Sequence, residues 1–266
     1  MSSLAIVIAC HTSDVTPHTT ERTHSGLLAA LGLLFSCRKY IPHFSGKIFF
    51  SLDADVIIPE DIADLIATYP HDIVCVFPHT PGEAQGPAQT LNRVLTHTHI
   101  RTFDRVMPLY ASDMCDITGS VELFEQAVTH SYIPITMGNA LPRETRTGHM
   151  ISDHSWLLPW DAIPPESINV RGSIIDTQTL YKISGFDQSL NFALNPLLPT
   201  LIRLIRAGGL QQSLTHAVFH GDDMDTAISL KYTYSHINAA HTQSTGSYAR
   251  DCQINRSLIS LFNERN

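Results

Sequence analysis

The sequence predicts an α/β layer architecture with a largely parallel sheet flanked by helices, and three observations carry that prediction. Apolar runs of strand length, rich in Ile, Val and Phe, alternate along the chain with longer runs of helix length. The connections between strands are mostly too long for hairpins, so that successive strands are joined through helices and pair in parallel. Strand ends fall at Cys10-His11, Asp53-Asp55 and Asp113-Asp116, and in open α/β sheets ligands bind beyond the carboxyl ends of the strands.

The elements follow in order. Leu4 to Cys10 is apolar but short and lacks a basic leader, which makes it a buried strand and not a signal peptide. A polar loop, His11 to Thr23, leads to Ser25 through Cys37, a buried helix by its length and Ala/Leu content. Lys47 to Leu52 is the second strand. Pro59-Glu60-Asp61 opens a helix through Ala67, with proline and acids in the first turn as helix N-termini favour. Asp72 to Phe77 is the third strand, Gly86-Pro87 starts a helix through His97, Phe103 to Tyr110 is the fourth strand, and Ser120 to His130 is the helix after it. Gly138 to Ser173 has little periodicity. Its Trp156 and Trp160 are either core plugs or stacking platforms for a ligand, and its Arg143 and Arg146 are either solvated charges or phosphate contacts. Thr215 to His220 is a last short strand, followed by Asp222 and Asp223. His241 to Arg250 is a polar loop of the kind that orders over a ligand, and Gln253 to Asn263 is an amphipathic closing helix.

Composition narrows the classes. The chain has 266 residues, 43% hydrophobic and 16% charged, enough for a sizeable core and against disorder. Seventeen Lys+Arg against 25 Asp+Glu give a net charge of −8, without the basic blocks of a nucleic-acid surface. Five cysteines at irregular spacings point to a reducing compartment, and 15 scattered histidines form no zinc motif. No run reaches the roughly 18 apolar residues of a membrane span. A soluble, cytoplasmic protein is expected.

The stretch Arg105 to Asp116 is the most informative. An apolar run that ends in Asp113 and Asp116 suits a cation with oxygen ligands, Mg²⁺ or Mn²⁺, which in turn holds the phosphates of a nucleotide. The alternative is that Asp113 caps the following helix or is simply solvated.

Four stretches in order, Ile6 to His11, Ser51-Leu52-Asp53-Ala54-Asp55, Gly86 to Asn92, and Ala111-Ser112-Asp113, resemble the donor site of the family 2 glycosyltransferases of GT-A fold. The resemblance implies one GT-A-like domain over 1–266, with a nucleotide-binding half (1–118), an acceptor-binding half (119–225) and a C-terminal loop and helix (226–266). It implies that Ala9, His11, Asp53 or Asp55, Asn92, Ser112 and Asp113 contact a UDP-, GDP- or CDP-sugar. It also implies that Asp113 binds Mn²⁺ or Mg²⁺ with the donor diphosphate and that His220 completes the metal shell, with His241 in reserve; Tyr248 or Arg250 would reach the diphosphate. The acceptor is a glycan, a small molecule or DNA, and the acidic net charge argues against DNA.

A second stretch, Ile183 to Gln188 followed by Leu201 to Gly209, is similar to that family's Gly-Gly-Phe-Asp-Glu segment and the helix after it. The family's Glu-Asp pair, whose Asp is the general base of inverting enzymes, falls on Asn195-Pro196. Neither residue accepts a proton at neutral pH. Three readings follow: a retaining transferase whose leaving diphosphate deprotonates the acceptor, a transferase whose catalytic base is Asp187, Asp222 or Asp223, or a protein that binds a nucleotide sugar without turnover. A nucleotidyltransferase shares the sheet and the metal, but Ala9-Cys10-His11-Thr12-Ser13 lacks its Gly-rich loop.

Overall fold

The computed structural model describes residues 2–11, 15–17, 19–53, 56–78, 86–142, 170–188, 197–209 and 211–220. Among these residues eight strands form one sheet in the order β3-β2-β1-β4-β7-β6-β8-β5. β1 (Ser2–Cys10) pairs in parallel with β2 (Phe44–Leu52) on one side and with β4 (Arg105–Tyr110) on the other. β3 (Ile73–Val76) extends the parallel half beyond β2. β7 (Ile174–Asp176) lies antiparallel between β4 and β6 (Ile135–Pro142), while β8 (Gln211–His220) runs parallel to β6 and antiparallel to β5 (Met114–Cys115). Four of the seven pairings are parallel.

Helices cover both faces, which explains why β1 is apolar from Leu4 to Cys10 instead of alternating. Leu4, Ile6 and Ile8 point to a core shared with α1 (Thr20–Tyr40), α2 (Glu60–Thr68) and α4 (Ile117–Thr129). Ala5, Val7 and Ala9 point the other way, to a core shared with α3 (Pro87–Leu95), α5 (Thr177–Lys182) and α6 (Leu198–Gly208). Phe49 and Phe50 in β2 are buried on opposite faces. Each contributes about 1.5–3 kcal/mol by that burial.

The sequence anticipates the parallel half better than the other half. α1 starts at Thr20, ahead of the expected Ser25, because the Thr16 carbonyl accepts from the amides of Thr19 and Thr20 and from the Thr20 hydroxyl. α4 begins at Ile117 and β8 at Gln211, each earlier than expected. β6 enters the stretch read as irregular, and its register against β8 shifts on either side of Asn139, which removes the alternation by which strands are recognised. β5 and β7 are too short to leave a periodic signal. The polar loop at 241–250 and the closing helix lie outside the described residues, as do Trp156 and Trp160. Among the described residues no helix is long and apolar enough to cross a membrane.

Candidate functional site

Chain order turns back at β1. β2 and β3 extend the sheet to one side of β1, and β4 joins on the other. That is the topological switch point, where a crevice opens beyond the carboxyl ends of the strands. The register places Cys10 beside Leu52 and Ala9 beside Tyr110, so His11, Asp53 and the turn after Tyr110 emerge together at this crevice.

Asp53 is 8% exposed, and its Oδ2 lies 3.1 Å from His11 Nδ1. Its amide donates to the Cys10 carbonyl at 2.8 Å, which locks the β2 exit to the β1 exit. Arg93 of α3 donates to the Leu52 carbonyl. Burial lowers the pKa of that guanidinium, and the charge of Asp53 acts in the opposite direction. The His11 ring meets Tyr110 edge-on, with centroids 6.5 Å apart.

After Tyr110 the chain makes a tight turn. The Asp113 amide donates to the Tyr110 carbonyl at 3.0 Å, and Asp113 Oδ2 accepts from the Tyr110 amide at 2.8 Å. Asp113 Oδ1 accepts from Arg171 Nη1 at 2.9 Å, and the Arg171 guanidinium carbon lies 4.5 Å from the Tyr110 ring centroid. Asp53, His11, Tyr110, Arg171 and Asp113 thus cluster at the carboxyl ends of β1, β2 and β4, with His11 and Arg171 both against the Tyr110 ring. Gly26 of α1 makes the turn possible, because a Cβ there would lie 2.6 Å from the carbonyl oxygens of both Ala111 and Asp113. The neighbouring thiol of Cys115 is pushed up to about 12 by burial, with Asp113 raising it further, so it is no nucleophile at neutral pH.

The expected site residues have distinct fates. Ala9 is buried in β1, and its carbonyl accepts from the Ala111 amide at 2.9 Å; Ser112 is half-buried at the crown of the turn. Asn92, for which a nucleotide contact is implied, is engaged with the backbone of Phe186. Its Nδ2 donates to the Phe186 carbonyl at 2.6 Å and its Oδ1 accepts from the Phe186 amide at 2.7 Å, which fastens α3 to the Gly185-Phe186-Asp187 loop. Asp187, expected as a base, pairs with Arg203 at 2.5 Å, and its amide donates to the Thr200 hydroxyl at 2.8 Å, which ties that loop to α6. His220 ends β8, and the antiparallel pairing of Met114 with Phe219 carries its backbone alongside Asp113. Asp55, Asp222, Asp223, Asn195, Pro196, His241, Tyr248 and Arg250 lie outside the described residues.

The divalent cation expected at Asp113 does not fit the acid as it stands. The side chain is 0% exposed, one oxygen holds a guanidinium and the other a backbone amide. Among the described residues no three His, Cys, Asp or Glu side chains converge to hold a metal ion. Sequence reasoning missed Arg171, Arg93 and Tyr110. Arg171 left one trace, the turn-like Arg171-Gly172-Ser173 just before the apolar Ile174-Ile175.

No protein-family model matches this sequence, and no curated protein matches it. Solved structures do. The 1–349 fragment of S. aureus TarS superimposes with a TM-score of 0.55 at 11% identity, covering 94% of this chain and 68% of that one. The same fragment in complex with UDP-GlcNAc gives 0.57 at 10% identity, with 84% and 59% covered. For TarS itself the values are 0.57 and 11%, and the match covers 94% of this chain but only 41% of that one. The match thus spans less than half of TarS itself, and the architecture of this chain is the GT-A fold.

Proposed function

We propose that this chain is a glycosyltransferase that binds a nucleotide-sugar donor at the carboxyl ends of β1, β2 and β4 and moves the sugar to an acceptor. The observation that carries the reading is the convergence of His11, Asp53 and the Tyr110–Asp113 turn on the switch point of the sheet. TarS, which has the same fold, has been solved in complex with UDP and with UDP-GlcNAc. That favours a UDP-sugar among the three donor classes. The order of the sequence motifs favours a placement beside family 2.

In this reading Asp53, oriented by His11, accepts hydrogen bonds from the base or ribose, as only an acceptor-only carboxylate held by a fixed neighbour does well. The Tyr110–Asp113 turn forms the floor under the diphosphate. The pairing of Asp187 with Arg203 weakens its claim as general base. A retaining reaction, in which the leaving diphosphate takes the acceptor proton, accords with Asn195-Pro196 at the usual base position.

The test is a thermal-shift and turnover screen of UDP-, GDP- and CDP-sugars. A ligand that binds only the folded state raises the melting temperature. The expected result is stabilisation by one donor class, weakened in Asp53→Ala, with release of the nucleoside diphosphate when an acceptor is present. A well-folded protein that responds to none of them overturns the reading. Stabilisation without release under any acceptor replaces it with the binding-only alternative that Asn195-Pro196 favours.

A further inference from the structure

Asp113 is the acid at which a divalent cation is expected, and its counter-charge is already in place. The Val170–Ser173 segment is a built turn: the Ser173 amide donates to the Val170 carbonyl at 3.1 Å, and Gly172 stands at φ 77°, where a side chain is strained. The Gly172 amide donates to the Pro108 carbonyl of β4 at 2.8 Å, which docks the turn on the strand that leads to Asp113. Arg171 is thereby delivered to Asp113 and laid over Tyr110, and the two charged residues are 7% and 1% exposed. A divalent cation reaching this carboxylate must share it with a buried, stacked guanidinium. In so enclosed a site two positive centres on one acid repel strongly.

We propose that Arg171 takes the place of a divalent cation at Asp113, so that nucleotide-sugar binding by this chain is independent of added Mn²⁺ or Mg²⁺. The proposal rests on the nucleotide-sugar reading above. Arg171 acts as a positioning residue: it neutralises Asp113 and holds the turn beneath the donor diphosphate. The role needs a planar cation that stacks on Tyr110 while one of its N–H groups donates to Asp113, which lysine does not supply.

The test is a Mn²⁺ titration of wild type, Asp113→Asn, Arg171→Met and the double variant, followed by melting temperature and by Mn²⁺ binding, with UDP as a separate probe. Wild type and Asp113→Asn are expected to respond to Mn²⁺ alike. Arg171→Met takes the positive charge away from the Asp113 carboxylate, so Mn²⁺ raises its melting temperature, whereas the double variant, neutral at both positions, shows no such rise. UDP affinity of the wild type is expected to agree within about twofold between EDTA and Mn²⁺. One-to-one Mn²⁺ binding to wild type that Asp113→Asn abolishes overturns the proposal, as does a loss of UDP affinity in EDTA of about tenfold or more. If Arg171→Met does not fold, the comparison of wild type with Asp113→Asn still decides. The Mn²⁺ arms need no nucleotide. Failure of UDP and every nucleotide sugar to bind therefore overturns the donor reading, while the Mn²⁺ titration judges Arg171 by itself.

Discussion

Replacing Asn92 by alanine separates a structural role from a ligand role for the same side chain. The amide makes two hydrogen bonds to the backbone of Phe186, 94 positions away, at 2.6 and 2.7 Å. Phe186 itself is 1% exposed, so water reaches the freed amide and carbonyl only in part. Each stranded group costs about 1–3 kcal/mol, and with partial rehydration the total is about 2–4 kcal/mol. Against a total stability of about 5–15 kcal/mol, that lowers the melting temperature by roughly 5–15 °C. Asn92→Asp is expected to be as damaging, because it keeps the acceptor for the Phe186 amide and sets a second acceptor against the Phe186 carbonyl. Urea and thermal unfolding measure the loss, and calorimetry well below the melting temperature measures nucleotide affinity. An Asn92→Ala protein that melts with wild type and has lost its nucleotide affinity refutes the clamp.

Three further predictions follow from the packing. Gly185→Ala is expected to break the same clamp, since Gly185 has φ +81° and a Cβ there would lie 2.5 Å from Asn92 Oδ1; an unchanged melting curve contradicts it. Gly26→Ala drives a methyl into the carbonyls of Ala111 and Asp113. It should cost about 1–3 kcal/mol by overpacking and weaken UDP binding through the displaced turn. Retention of both stability and affinity shows that the close approach is wrong. Burial pushes the Cys37 thiol up from its ordinary 9.0 to about 12, with Glu125 adding to it, and burial does the same to Cys115, with Asp113 adding to it. Both stay neutral in the folded protein while the unfolded chain ionises above pH 9, so stability is full below that pH and falls as pH rises toward 12. At pH 11 the loss is about 2–3 kcal/mol per thiol. Cys115→Ala should flatten the alkaline decline measured by urea unfolding at stepped pH.

How much the sequence disclosed depends on how far each contact reaches along the chain. β1 through β4 are covered by helices on both faces, by α1 to α4 from their own stretch of chain and by α5 and α6 from farther on, and continuous apolar runs mark them. β5, β6 and β7 are held in the sheet by strands distant in sequence, so two or three apolar residues suffice and no period appears. The same holds for the crevice. His11, Asp53 and Asp113 are visible because each follows an apolar run, and their mutual register follows from the parallel pairing. Arg171 meets Asp113 across 58 positions and Asn92 meets Phe186 across 94. No local pattern encodes such partners. A sequence motif therefore marks Asp113 and Asn92 without disclosing the partner each one holds in the fold.

The central claim is that the donor occupies the switch point between β1 and β4. Amide hydrogen exchange with and without a saturating nucleotide sugar tests it most directly, because a ligand in that crevice stabilises the segments it touches. The account predicts added protection at Cys10-His11, at Leu52-Asp53 and across Tyr110–Asp113. Protection that falls elsewhere, with these three segments exchanging as in the free protein, contradicts it.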